Sequence, residues 1–269
     1  MSFLKRKKIG LALGSGGGKG YAHIGVLKVL EENNIPIDFI AGSSAGALMG
    51  SFYCFYKDIK KVEEIVLSTP AYQLVSLIEP AFFKGGMIDG KKIKDFISKK
   101  IRNAFFDDLQ IPFVAVATDF QNGKTVEIKK GDVALAVQAS IAVPMVFRPV
   151  PFEKTFLCDG GASNPVPTKI VREMGADIVI GVNLDNQSYF EKQKFADNLY
   201  FAASKTIQIL QYHLAKESER FADITIEPSV GDVGFIGLDK FIKGKGKDII
   251  LEGQVATEAF LPKIKKLLG

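Results

Sequence analysis

The sequence predicts a three-layer α/β/α sandwich built on a mainly parallel central sheet. Two observations carry this. Short runs rich in Val, Ile, Leu and Ala alternate with segments of helical periodicity along the whole chain, and that alternation buries parallel strands between two layers of helices. The 269 residues hold no repeat and no Ser- or Pro-rich linker. They are therefore read as a single domain over 1–269, with a core over about 8–170 and a C-terminal helical part over 190–269.

The elements follow in order. "KKIGLAL" is a first strand that stops at glycines, and Tyr21 to Asn34 is a helix with Ile24, Leu27 and Leu30 on one face. "IDFIAG" is a second strand, followed by a helix of small residues starting at Ala45. Further strands are expected at "IPFVAVATD", "KTVEIKK", "TFLCDG", "ADIVIGVNL" and "ADITIEP". Helices are expected over Lys91 to Lys100, Asp132 to Ser140, Pro167 to Met174, Asp197 to Arg220 and Lys247 to Leu268.

Composition narrows the function classes. Apolar residues make up 47% and charged residues 24%, the balance of a globular chain with a substantial core. Apolar runs are far shorter than a membrane helix requires. The basic start is followed by an apolar piece of only Ile9 to Leu13, too short for an export signal, so a cytoplasmic location is expected. Cys54 and Cys158 lack metal-type spacing and read as buried thiols. A net charge of +5 with Lys5-Arg6-Lys7-Lys8 at one end suits weak peripheral contact with an anionic membrane. Basic residues are otherwise interleaved with acids, which argues against nucleic acid as a partner.

Sheets of this kind gather their working groups at the carboxyl ends of strands, and three conspicuous stretches lie there. In "IAGSSAGALMG", Gly42-Ser43-Ser44-Ala45-Gly46 fits G-x-S-x-G with Ser44 at its centre. That pattern marks a sharp strand-to-helix turn exposing a nucleophile, and an ordinary tight turn with capping serines is the alternative. "GSGGGKG" (Gly14 to Gly20) follows the first strand, where successive amides at a helix start form an anion site. It is not a P-loop, because Lys19 is followed by Gly20 rather than Ser or Thr, and a dinucleotide fingerprint started at Gly14 puts Lys19 at its last glycine place. An oxyanion hole remains, against a plain flexible turn.

A serine nucleophile needs a base, and the chain has two histidines. His23 lies on the first helix and His213 in mid-helix, both reading as structural or surface residues. "FLCDGGASNPVP" places Asp159 directly after a strand, with Gly160 and Gly161 beside it, and makes it the best candidate base. No cluster of ligand residues points to a metal, and no cofactor is expected.

With these residues in place, the sequence resembles the patatin-like phospholipase family. Four ordered blocks carry the resemblance: "LALGSGGGKGYAHIGVLKVL", "IAGSSAGALMG", "ASIAVPMVFRPV" and "LCDGGASNPVP". The resemblance implies a patatin-like fold and a Ser–Asp dyad hydrolase of lipid acyl esters, phospholipids or lysophospholipids, working through an acyl-enzyme without histidine, metal or cofactor. Ser44 is then the nucleophile and Asp159 its base. The amides of Gly16, Gly17 and Gly18 form the oxyanion hole, and Lys19 stands where the family has Arg or Lys. Gly20, Gly42, Gly46, Gly160 and Gly161 support these loops. One departure is Ser15, at the first glycine position of the loop register that ends at Gly20. The stretch from Ala71 to Gly90, with Phe82-Phe83, reads either as a cap over an acyl groove or as an ordinary packed segment, and "GDVGFIGLDKFI" carries the same two readings. A catalytically silent lipid-binding module and a short-chain carboxylesterase are the competing functions.

Overall fold

The structure is a computed structural model and describes residues 6–69, 88–186, 199–231 and 246–269. Phe82, Phe83 and most of the stretch read as a cap or packed segment fall outside these residues, as does nearly all of "GDVGFIGLDKFI".

The strands are β1 (Ile9–Leu13), β2 (Phe39–Ser43), β3 (Phe113–Asp119), β4 (Thr125–Ile128), β5 (Val150–Phe152), β6 (Thr155–Asp159), β7 (Ile178–Val182) and β8 (Ile224–Ile226). The helices on the N-terminal side are α1 (Tyr21–Glu32), α2 (Ala45–Tyr56), α3 (Ile59–Leu67), α4 (Lys91–Lys100) and α5 (Val133–Ser140). They are followed by α6 (Thr168–Glu173), α7 (Leu199–Ser218), α8 (Gly246–Glu258) and α9 (Leu261–Leu268). Strand pairing runs β5-β6-β3-β2-β1-β7-β8, with β4 also on β3. The central pairs β3-β2, β2-β1, β1-β7 and β7-β8 are parallel, and β4, β5 and β6 add the antiparallel contacts.

Side-chain alternation divides the core into two layers. Ile9, Leu11 and Leu13 of β1, with Ile178, Ile180 and Val182 of β7, face a large cluster that includes Ile24 and Leu27 of α1, Phe52 of α2 and Ile250 of α8. Ala12, Ala41, Val114, Val116 and Val179 point the other way, onto Ile170 and Val171 of α6 and Ala215 of α7. Helices thus cover both faces, and the fold class expected from the sequence is the one found.

Three features differ from the expectation. The final helix is two helices. Pro262 stands in the first turn of α9, and a proline lacks the N–H that a continuous helix needs, so the helix ends before it. The short antiparallel β5, which includes Pro151, and helix α3 were not foreseen.

One pairing detail positions the site. On β3, residues Phe113–Val116 pair β2, Ala115–Thr118 pair β4, and Ala117–Asp119 pair β6. A strand has only two edges, and β4 overlaps both others, so β2 and β6 share the opposite edge end to end. β2 runs parallel to β3 and β6 antiparallel to it. Their carboxyl ends, Ser43 and Asp159, therefore meet beside Val116 and Ala117.

Candidate active site

Ser44 sits in the turn between β2 and α2 with φ 53° and ψ −118°, a backbone region costly for a residue with a Cβ. Its neighbours hold it there. The Ser44 N–H donates to Ser140 Oγ at 2.9 Å, and Ser140 Oγ donates to Val116 O at 2.5 Å. The turn also requires close backbone approach. A Cβ on Gly46 would stand 2.0 Å from Leu13 O, and one on Gly42 2.5 Å from Gly46 O.

Asp159 ends β6 and faces Ser44. Ser44 Oγ donates to Asp159 Oδ2 at 2.6 Å, and the Gly161 N–H donates to Asp159 Oδ1 at 2.7 Å. The backbone of Asp159 is fixed as well: its N–H donates to Ala142 O at 3.0 Å and its carbonyl accepts from Thr118 Oγ1 at 2.8 Å. A Cβ on Gly160 would meet Val116 O at 2.2 Å, so only glycine lets this turn lie against β3. Burial pushes the Asp159 carboxyl up to about 7, hydrogen bonds from Ser44 and Gly161 oppose that shift, and the negative charge of Asp185 adds to it. A carboxylate tuned near neutrality is matched to proton transfer at physiological pH.

The glycine loop stands beside this pair. A small cavity of about 40 Å³ is bounded by Gly16, Gly17, Ser44 and Asp159 and by Gln208 and Gln211 of α7. Gly18 is buried and does not line it. Among the described residues no acceptor takes the amides of Gly16, Gly17 or Gly18, whereas Gly14 N–H donates to Val182 O and Ser15 N–H to Pro165 O. A larger depression of about 520 Å³ lies at the amino end of β3, with Pro112 and Phe113 in its wall. It contains neither Ser44 nor Asp159, which both line the smaller space.

The histidines are elsewhere. His23 is fully buried, and its Nε2 lies 2.8 Å from Gly14 O. A carbonyl only accepts, so Nε2 carries the proton, and burial lowers its pKa to about 4. His23 is a neutral prop for the loop. His213 packs edge-on against Tyr212. Among the described residues no group of three or more His, Cys, Asp or Glu could hold a metal ion, and no helix is long and apolar enough to cross a membrane.

Residues that motif reading passed over also converge here. Ser140 lies in the "ASIAVPMVFRPV" block and holds the elbow. Asp185 follows β7 and accepts from Ser15 Oγ at 2.7 Å and from Lys19 Nζ at 2.6 Å. The departure at Ser15 thus has a structural use. Asp185 could have been noticed as a carboxylate just past the carboxyl end of a central strand, the filter that had already picked Ser44 and Asp159.

Several known proteins are similar to this chain. The family model for patatin-like phospholipase matches residues 11–172. An uncharacterized NTE family protein of Mycobacterium tuberculosis is 35% identical over 178 residues, 66% of this chain and 49% of that protein. Human patatin-like phospholipase domain-containing protein 6 is 30% identical over 197 residues, 71% of this chain and 14% of its own length. The chain therefore spans about half the length of its mycobacterial relatives and far less of the human one. The crystal structure of VipD from Legionella pneumophila superposes with a TM-score of 0.50 at 14% identity, over 94% of this chain and 67% of that one, which is a likeness of fold.

Proposed function

Because this chain belongs to the patatin-like phospholipase family, we propose that it hydrolyses fatty-acyl esters of phospholipids or lysophospholipids through Ser44 and Asp159. The observation that carries the reading is the 2.6 Å hydrogen bond from a strained, buried serine hydroxyl to a buried carboxylate, with both histidines engaged away from that serine. Asp159 Oδ2 takes the Ser44 proton as Oγ attacks the ester carbonyl. The developing oxyanion faces the amides of the glycine loop, and the N-terminus of α2 adds favourable potential at the attacking oxygen. The tetrahedral adduct collapses with cleavage of the ester C–O bond, and the leaving alkoxide takes the proton from Asp159. Water then loses a proton to Asp159 and attacks the acyl-Ser44 ester, and as this second adduct collapses the fatty acid leaves and Ser44 Oγ takes the proton back from Asp159. No metal or cofactor is needed at any step. The basic N-terminal residues suit substrate presented on an anionic membrane.

The test is turnover of phospholipid, lysophospholipid and p-nitrophenyl acyl esters, together with fluorophosphonate labelling. Ser44→Ala abolishes both, and Asp159→Asn lowers kcat by about a thousandfold or more in a folded protein. Ser43→Ala retains most of the activity, and EDTA leaves it unchanged. Near-normal turnover by Ser44→Ala would overturn the reading.

A further inference from the structure

We propose that Asp185 is a positioning residue for this reaction: its carboxylate clasps the glycine loop at both ends and so holds the amides of Gly16 and Gly17 open toward Ser44. The inference rests on the Ser44–Asp159 reading above and extends it to a residue outside the segment that the family model matches.

The geometry is that of a bridge. Ser15, just before the loop glycines, donates from Oγ to Asp185 Oδ2 at 2.7 Å, and Lys19, just after them, donates from Nζ to Asp185 Oδ1 at 2.6 Å. Lys19 Nζ also donates to Leu184 O at 2.8 Å. The intervening Gly16, Gly17 and Gly18 have no side chains with which to fix themselves, and glycine has the largest backbone entropy to lose. A loop of this kind can be ordered most directly from its ends, and one carboxylate reaches both.

The clasp is itself anchored. Asp185 N–H donates to Asn183 Oδ1 at 2.9 Å, and Asn183 N–H donates to Ile226 O of β8 at 2.9 Å. Asn186 Nδ2 donates to Pro228 O at 2.9 Å. The turn after β7 is thus pinned to β8 and cannot follow the glycine loop if that loop moves. Stability alone does not account for the charges, because a well-packed apolar pair commonly serves as well as a buried ion pair. What charge adds here is directionality, a carboxylate holding two donors at fixed angles.

The same pair biases the dyad electrostatically. Asp185 and Lys19 share the small cavity with Asp159, where Asp185 repels the Asp159 charge and Lys19 offsets Asp185. His23 is neutral behind Gly14, and burial keeps the neighbouring Cys158 thiol protonated with a pKa of about 11.

The experiment measures kcat, KM and the pH profile of kcat/KM on a p-nitrophenyl acyl ester for wild type, Asp185→Asn, Lys19→Met and the double variant, with thermal melts as folding control. We expect kcat to fall about tenfold or more in each single variant while KM changes little, since the lost interaction is made in the transition state. The double variant is no worse than the poorer single one, because both cut one device. The acid limb moves to lower pH in Asp185→Asn, which removes a like charge, and to higher pH in Lys19→Met, which leaves Asp185 uncompensated. Loss of packing alone would not move the limb in opposite directions. Where a charge variant fails to fold, Ser15→Ala severs one arm without stranding a charge, and its kcat falls several-fold. Unchanged kcat in folded Asp185→Asn or Ser15→Ala, or a limb that shifts the same way in both charge variants, overturns the clasp. Turnover surviving Ser44→Ala would instead remove the dyad reading, so the two failures are distinguishable.

Discussion

At the scale of single residues, the proposed mechanism needs Asp159 to be both buried and basic, and the two demands have a measurable cost. Burial pushes its carboxyl up to about 7 from an ordinary value of 3.8. Between those values the native state keeps a proton that the unfolded chain has lost, so this group's contribution to stability declines as pH climbs from about 4 to about 7, and is level above. Asparagine cannot ionise. Asp159→Asn is therefore expected to be more stable than wild type at pH 8, by about 3 °C or more in Tm, and no more stable near pH 4. Activity should move oppositely, with wild-type kcat/KM rising through about pH 7 as the base loses its proton. Melts across pH 4–8 alongside a pH–rate profile would show this, and a Tm gap that did not close in acid would contradict it. The sequence made Ser44 and Asp159 legible because each sits in a short local pattern that has a chemical reason. Ser140 and Asp185 were less legible. Their contacts span 96 residues from Ser44 and 170 from Ser15, so the place of Asp185 past a strand end hinted at a role while the partners of both residues could not be read from the flanking chain.

At the scale of elements, the site is a meeting of strand ends. β2 and β6 occupy one edge of β3 head to head, so the Ser44 turn and the Asp-Gly-Gly turn are brought together by sheet pairing rather than by either loop. Alternating patterns revealed the strands but not this shared edge, since periodicity gives a strand's faces and not its partners. The three-residue β5 was too short to show a pattern, and the break before α9 was marked only by Pro262. The arrangement makes the glycines intolerant of any added carbon. In Gly46→Ala the methyl group would lie 2.0 Å from Leu13 O at the end of β1, and neither backbone can retreat without separating α2 from the sheet. A cost of about 1–3 kcal/mol or more is expected, with slower fluorophosphonate labelling of Ser44 even where the protein stays folded. Gly123→Ala is the control: that position has open space around it, and only the strain of its φ of 72° applies. Equal behaviour of the two variants would refute the close-approach argument.

At the scale of the whole molecule, the segment beyond residue 172 does more than extend the family core. It supplies β7 and β8 at one side of the sheet, Asp185 beside the glycine loop, and α8 against α1. The α8–α1 contact is backbone to backbone. A Cβ on Gly253 would meet Ala22 O at 2.1 Å, and one on Gly25 would meet Ile250 O at 2.0 Å. Helix α1 begins directly after the glycine loop and carries His23, whose ring supports Gly14. Pushing α8 away would therefore loosen the face of α1 that seats the loop. If the chain is one cooperative unit, Gly253→Val should lower Tm of the entire protein by about 5 °C or more, keep a single transition, and lose ester turnover in step with folded structure. Differential scanning calorimetry paired with activity after partial heating tests this. A separate early transition that left turnover intact would show that the C-terminal helices fold apart from the sheet that carries Ser44 and Asp159. That outcome would also leave the α1 face able to hold its loop without α8, which the interlocked glycines argue against.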